Sequence, residues 1–130
     1  MFLDSTVLIG FLRNEPNAIE VIKRIEDKQL YTSEINVFEL IQGVYISHKN
    51  VEQHIQQIIG ILSTITVLPF DRRAAIKAGV IGGMLQKQGQ KIGEADCLIA
   101  GVALANGIKI IVTNNTEHFE RIPGLRVMSY

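Results

Sequence analysis

The chain has 130 residues, with 47% hydrophobic and 20% charged side chains. This is the balance of one globular domain, and it is too short for two ordinary cores. Thirteen basic residues match thirteen acidic ones, which excludes a histone-like coat for nucleic acid. The charge is uneven: residues 1–65 hold 5 Lys/Arg against 8 Asp/Glu, and residues 66–130 hold 8 against 5. A basic surface beside an acidic site is therefore compatible with the neutral total.

Met1–Leu3 is a short apolar start that ends at Asp4. With Asp4 inside it and no basic residues before it, the start does not read as a signal peptide. No apolar stretch reaches the roughly 20 residues of a membrane helix, so a cytoplasmic protein with no membrane role is expected. Val7–Leu12 reads as a short helix. Pro16 suits the first turn of the next, with Ile19, Ile22 and Ile25 at helical spacing. Leu30–Thr32 is a short extended piece. Ser33 is a good N-cap for a helix through about Ile46, and Asn50 for one with Ile55, Ile58, Ile59 and Leu62 on a face.

Ile65–Leu68, bounded by Pro69, reads as a strand. Asp71 caps a long helix ending near Gly89. Gly82-Gly83, within that helix, suggests a close helix contact. Gly93–Asn106 is another helix, stopped by Asn106-Gly107. Lys109–Thr113 is a buried strand, Asn114-Asn115 a turn, Thr116–Glu120 a helical turn, and Leu125–Met128 the last strand. Apolar strands alternating with helices predict a single α/β domain over residues 1–130 with a mainly parallel sheet. In such sheets the site lies beyond the carboxyl ends of the strands.

Asp4 stands at such an end. Its ordinary alternative is to cap the following helix, a task Ser5 could also perform. Asp96 stands on an apolar helix face with Ile99, Ala100 and Ala103, with no Lys or Arg in reach on that helix. A carboxylate there is costly unless a cation or a distant Arg pairs with it. Glu39 points away from the face formed by Val37, Ile41 and Val44. It shares its stripe with Asn36, Gln42 and Gly43, which suggests solvent, yet Ile35 and Ile46 lie close by. Asn115 is either a turn residue or a site amide, and Glu94 either joins Asp96 or sits at the helix start. Cys97, the one cysteine, excludes a disulfide framework and a Cys-cluster zinc site, and reads as a small core hydrophobe.

Clustered carboxylates need a cation to stay ionised together. Oxygen donors without Cys or an obvious His suit Mg²⁺ or Mn²⁺ rather than Zn²⁺. Such ions serve phosphodiester hydrolysis by activated water. A nucleotide-binding module is disfavoured, because neither G-x-G-x-x-G nor a P-loop is present. A dehalogenase-type phosphatase would want a second Asp where Thr6 stands.

Five segments together resemble PIN-domain ribonucleases, specifically the VapC-type toxins of toxin–antitoxin pairs. They are Phe2–Ile9, Thr32–Gly43, Ile92–Ala100, Val112–Phe119 and Ile122–Val127, in the family's order across the whole chain. The resemblance implies a three-layer α/β/α fold and a Mg²⁺- or Mn²⁺-dependent endoribonuclease. Asp4, Glu39 and Asp96 would be metal ligands, and Thr6 and Thr113 polar supports at the rim of the site. Asn115 stands where many relatives carry a fourth Asp, so it brings no charge. The resemblance also implies an RNA substrate, a homodimer and a VapB-type antitoxin. The alternatives within the family are a housekeeping RNA-processing nuclease and a non-catalytic RNA-binding or scaffold domain. For RNA contact the candidates are Arg13, Arg72, Arg73 and Lys77, with Lys87 and Lys91 further along. The helix Ser33–Ile46 is apolar nearly all round, which predicts that it is covered on more than one side.

Overall fold

A computed structural model describes residues 1–47 and 49–130. Five strands form one sheet: β1 (Phe2–Leu3), β2 (Tyr31–Ser33), β3 (Thr66–Leu68), β4 (Ile110–Val112) and β5 (Arg126–Met128). Their order is β3-β2-β1-β4-β5, and every neighbouring pair is parallel. The helices are α1 (Ser5–Leu12), α2 (Pro16–Ile25), α3 (Glu34–Ser47), α4 (Val51–Leu62), α5 (Arg72–Lys87), α6 (Glu94–Ala105) and the short α7 (Thr116–Phe119). The α/β class and parallel sheet expected from the sequence are present, and element boundaries differ from the expected ones by one or two residues.

Side chains alternate across each strand, so the strands divide two cores between the faces of the sheet. Phe2 and Ile111 join Ala74, Ile81, Leu85, Ile99, Val102 and Phe119 on the side of α5, α6 and α7. Leu3 and Val112 join Val7, Leu8, Ala18, Val21, Leu40 and Ile58 on the side of α1 to α4. The result is three layers, helices over each face of the sheet.

Local signals end the elements where expected. The Asp71 carboxylate accepts from Ala74 N at 3.0 Å and caps α5. Gly89 and Gly107 take left-handed φ values of 68° and 72° just past α5 and α6. The expected close contact at Gly82-Gly83 falls elsewhere. A Cβ on Gly82 would meet Cys97 Sγ at an ordinary 3.4 Å, and one on Gly83 would meet nothing. The close approach is at Gly101, where a Cβ would lie 2.6 Å from Ala78 Cβ and 2.7 Å from the Ala74 carbonyl. Cys97 is half-buried against this core rather than within it.

The chain runs outward from β1 through β2 to β3, then returns to place β4 on the other side of β1. The connections after β1 and β4 therefore part in opposite directions, leaving a crevice at their carboxyl ends. Asp4 follows β1 and Thr113 follows β4, so both stand at this switch point.

Candidate metal centre

Asp4 ends β1 with its amide donating to the Val112 carbonyl at 3.1 Å, which fixes its backbone against β4. Its side chain makes no cap bond to α1, so the capping alternative fails, and Ser5 lies inside the helix. Instead, Asp4 Oδ2 accepts the Thr113 hydroxyl at 2.7 Å and the Thr6 hydroxyl at 3.0 Å. Asn36 Nδ2 lies 3.3 Å from Asp4 Oδ1 and 2.9 Å from Ser5 Oγ. Ser5 in turn donates to Glu39 Oε2. Thr6 and Thr113 also accept the amides of Asn114 and Asn115, at 3.1 and 2.9 Å. The two threonines thus support Asp4 and brace the β4–α7 turn together.

Asn36 corrects the sequence reading. It was expected on a wet stripe, but it is fully buried. The inward face of α3 is Asn36, Leu40 and Val44, one helical row rotated from the apolar face expected from Val37 and Ile41. A polar residue can take that row because Ser33 caps α3 through it. Ser33 N and Oγ reach Asn36 Oδ1 at 3.3 and 2.6 Å, and Asn36 N reaches Ser33 Oγ at 3.4 Å. The S-x-x-N spacing was the available signal for this residue. Glu39, one turn on, is partly buried rather than solvated.

Asp96 occupies the first turn of α6 with its side chain 15% exposed. Its partners come from the β4–α7 turn. Asn115 Nδ2 lies 2.9 Å from Asp96 Oδ2, and His118 Nδ1 lies 2.5 Å from the same oxygen. His118 is a site residue that sequence reasoning missed. Its position three residues after Asn115, across a short helical turn, was the only hint. Asp96 therefore has neither a distant Arg nor an isolated apolar setting.

The acids feel one another. Burial raises the Asp4 pKa above its ordinary range, against the lowering effect of Thr113 and Thr6, and Asp96 adds repulsion. Glu39 is raised mainly by burial and then by the charges of Asp4 and Asp96, with the Ser5 hydrogen bond opposing. The Tyr130 hydroxyl is buried beside Thr6 and Asn114 but outside hydrogen-bonding geometry. Among the described residues, no three His, Cys, Asp or Glu side chains are already gathered to hold a metal ion. The donor set still fits a hard divalent cation: three mutually repelling carboxylates, each oriented by side-chain hydrogen-bond partners, in one crevice.

Glu94 is exposed at the start of α6 and lies outside this hydrogen-bonded network. The basic candidates scatter. Arg13 lines a cleft of about 250 Å³ with Ile9, Leu12, Leu40, Val44 and Ile58. Arg72, Arg73 and Lys77 are exposed on α5. Arg73 lies 3.4 Å from Asn106 Oδ1, beyond the far end of α6 from Asp96. Ten residues of helical rise put about 15 Å between those positions. Lys91, exposed just before α6, lines a cleft with Glu94 and Phe70.

A five-strand parallel sheet with acids at its switch point defines a class of α/β domains, and the family model described as PIN domain matches residues 1–125. The chain belongs to the PIN-domain family, in its VapC group. It is 37% identical to the tRNA(fMet)-specific endonuclease VapC of Shigella flexneri, covering 95% of this chain and 92% of that protein. It is 34% identical to ribonuclease VapC2 of Haemophilus influenzae, covering 98% and 96%. In solved structures it is similar to DNA-bound VapBC from Salmonella typhimurium, with a TM-score of 0.87, 33% identity and coverage of 98% and 96%. It is also similar to VapBC2 from Rickettsia felis bound to a promoter DNA fragment, with a TM-score of 0.88, 26% identity and coverage of 99% and 97%.

Proposed function

We propose that this chain is the endoribonuclease toxin of a toxin–antitoxin pair, hydrolysing RNA phosphodiesters with a divalent cation, Mg²⁺ or Mn²⁺. The observation that carries the site assignment is the gathering of buried Asp4 with part-buried Glu39 and Asp96, whose charges repel, with no Lys or Arg salt bridge to any of the three among the described residues. A silent scaffold has no use for that cost.

Asp4, Glu39 and Asp96 would hold the cation. When bound, it supplies positive charge to polarise a phosphoryl oxygen and to favour loss of a proton from water. The protein's share is orientation. Thr6, Thr113 and Asn36 fix the Asp4 carboxylate, Ser5 fixes Glu39, and Asn115 with His118 fixes Asp96. Preset carboxylates need no reorganisation as charge develops on the phosphate. Lys87 and Lys91 are better placed than Arg72 and Arg73 to meet RNA, because they lie toward the α6 end that carries Asp96.

A VapB-type antitoxin is the proposed partner, since both solved relatives described above are VapBC assemblies. The apolar cleft between α1, α3 and α4 suits an apolar antitoxin segment. A second copy of this chain is proposed to cover exposed Phe38, Tyr45 and Ile46 on α3.

The test is cleavage of RNA by the purified chain with Mn²⁺ or Mg²⁺. Asp4→Asn and Asp96→Asn should each lower the rate at least about a hundredfold while urea unfolding stays cooperative. Wild-type cleavage by Asp96→Asn would overturn the site. No cleavage by the native chain with either ion would favour the RNA-binding reading.

A further inference from the structure

Asp96 Oδ2, Asn115 Nδ2 and His118 Nδ1 form a triangle with edges of 2.9, 3.2 and 2.5 Å. The two contacts to Asp96 hold its carboxylate, while the third edge sets two nitrogens against each other. If the imidazole carries its proton on Nδ1, that N–H and the Asn115 amide N–H both point at one carboxylate oxygen and crowd each other. If Nδ1 is bare, its lone pair faces a carboxylate lone pair at 2.5 Å. Turning the Asn115 amide over, a rotation that exchanges its O and N positions, sets its oxygen against Asp96 instead. With Asp96 ionised, none of these placements makes all three edges attractive.

A cation does. With the amide turned, three lone-pair donors converge: a carboxylate oxygen, an amide oxygen and an imidazole nitrogen. Three ligands on one face of a six-coordinate ion, each about 2.1 Å from it, lie about 3 Å apart, which is close to the edges observed. The frame is also held in place. Phe119 beside His118 is fully buried. Arg121 ties α7 to the segment before α6 through Glu117 at 2.8 Å and the Lys91 carbonyl at 3.3 Å. His118 remains about one-third exposed, so an ion can enter.

We infer that Asp96, Asn115 and His118 form a cation position of their own, sharing Asp96 with the acidic site, in which His118 Nδ1 is a ligand. The inference rests on the cation reading of the acidic site and adds a nitrogen donor to it. Imidazole suits first-row transition ions, whereas all-oxygen sets suit Mg²⁺. His118 therefore biases this chain toward Mn²⁺ over Mg²⁺, in the place where Asn115 withholds a charge.

The experiment is Mn²⁺ titration of the intact chain followed by pulsed electron paramagnetic resonance, which detects ¹⁴N of a ligating imidazole without any turnover. The native chain should show that coupling. His118→Ala should lose it, with Mn²⁺ affinity falling tenfold or more and the preference over Mg²⁺ shrinking. His54→Ala should keep all three. Far-UV circular dichroism confirms that the variants fold, and the native spectrum needs no variant. Bound Mn²⁺ without imidazole coupling, or coupling that survives His118→Ala, overturns the assignment of His118 and leaves the acidic site standing. A native chain that binds no Mn²⁺ overturns the cation reading itself, and the inference with it.

Discussion

The Asn36 side-chain amide reaches from α3 to the Asp4 carboxylate at the end of β1, 3.3 Å from Oδ1. It links the helix that carries Glu39 to the strand that carries Asp4. The same side chain accepts from Ser33 and donates to Ser5, so four polar groups lose a partner if it is cut back. Asn36→Ala should cost about 2 kcal/mol in urea unfolding, the range for leaving buried polar groups unsatisfied. RNA cleavage should fall with it. Unchanged stability would show that Asn36 is not a structural link.

Asp4 governs the pH response without metal. Its folded pKa is raised by burial, so between the ordinary carboxylate range and the raised value the folded state binds more protons than the unfolded one. Stability then falls as pH rises through that window. Glu39 acts in the same sense. Thermal melts in chelator should show a lower Tm at pH 7 than near pH 5, and Asp4→Asn should flatten the trend and raise the Tm at pH 7. A chelated protein that gains stability toward neutral pH would contradict the burial of this charge.

Asn115→Asp places a carboxylate where an amide now lies 2.9 Å from Asp96 Oδ2. Without a cation the two charges repel, and the melting temperature should drop. With Mn²⁺ the added charge should tighten binding by about tenfold and return the lost stability through ligand linkage. Calorimetric titration decides. Weaker or unchanged Mn²⁺ affinity would place Asn115 outside any coordination.

The outer side of α3 leaves Phe38 61%, Tyr45 66% and Ile46 78% exposed. Single exposed apolar residues are ordinary, but three on one helix invite a partner. Light scattering at micromolar concentration should give twice the monomer mass, consistent with a two-fold dimer. Tyr45→Glu with Ile46→Glu should return it to the monomer. A native monomer would leave these residues to a different partner.

The alternation of apolar runs with capped helices was enough to specify the α/β class, because each element carries its own period and its own stop signals. Asp71, Gly89 and Gly107 end helices by chemistry that acts within a few residues. Asp4 and Asp96 stood out for the same local reason, a charge at a strand end or on an apolar face. The inward turn of Asn36 was not legible in that way. Its row on α3 was decided by where the helix meets β1, and burial became tolerable only through partners from α1, β1 and β2. His118 was hidden for a related reason: it lies 22 residues from Asp96 and meets it only once the sheet sets β4 beside β1. The distance of Arg73 from the acids followed from how α5 packs along α6 at Gly101. Local sequence fixes what each element is and which groups are costly to bury, whereas the crossing of strands and helices decides which of those groups meet.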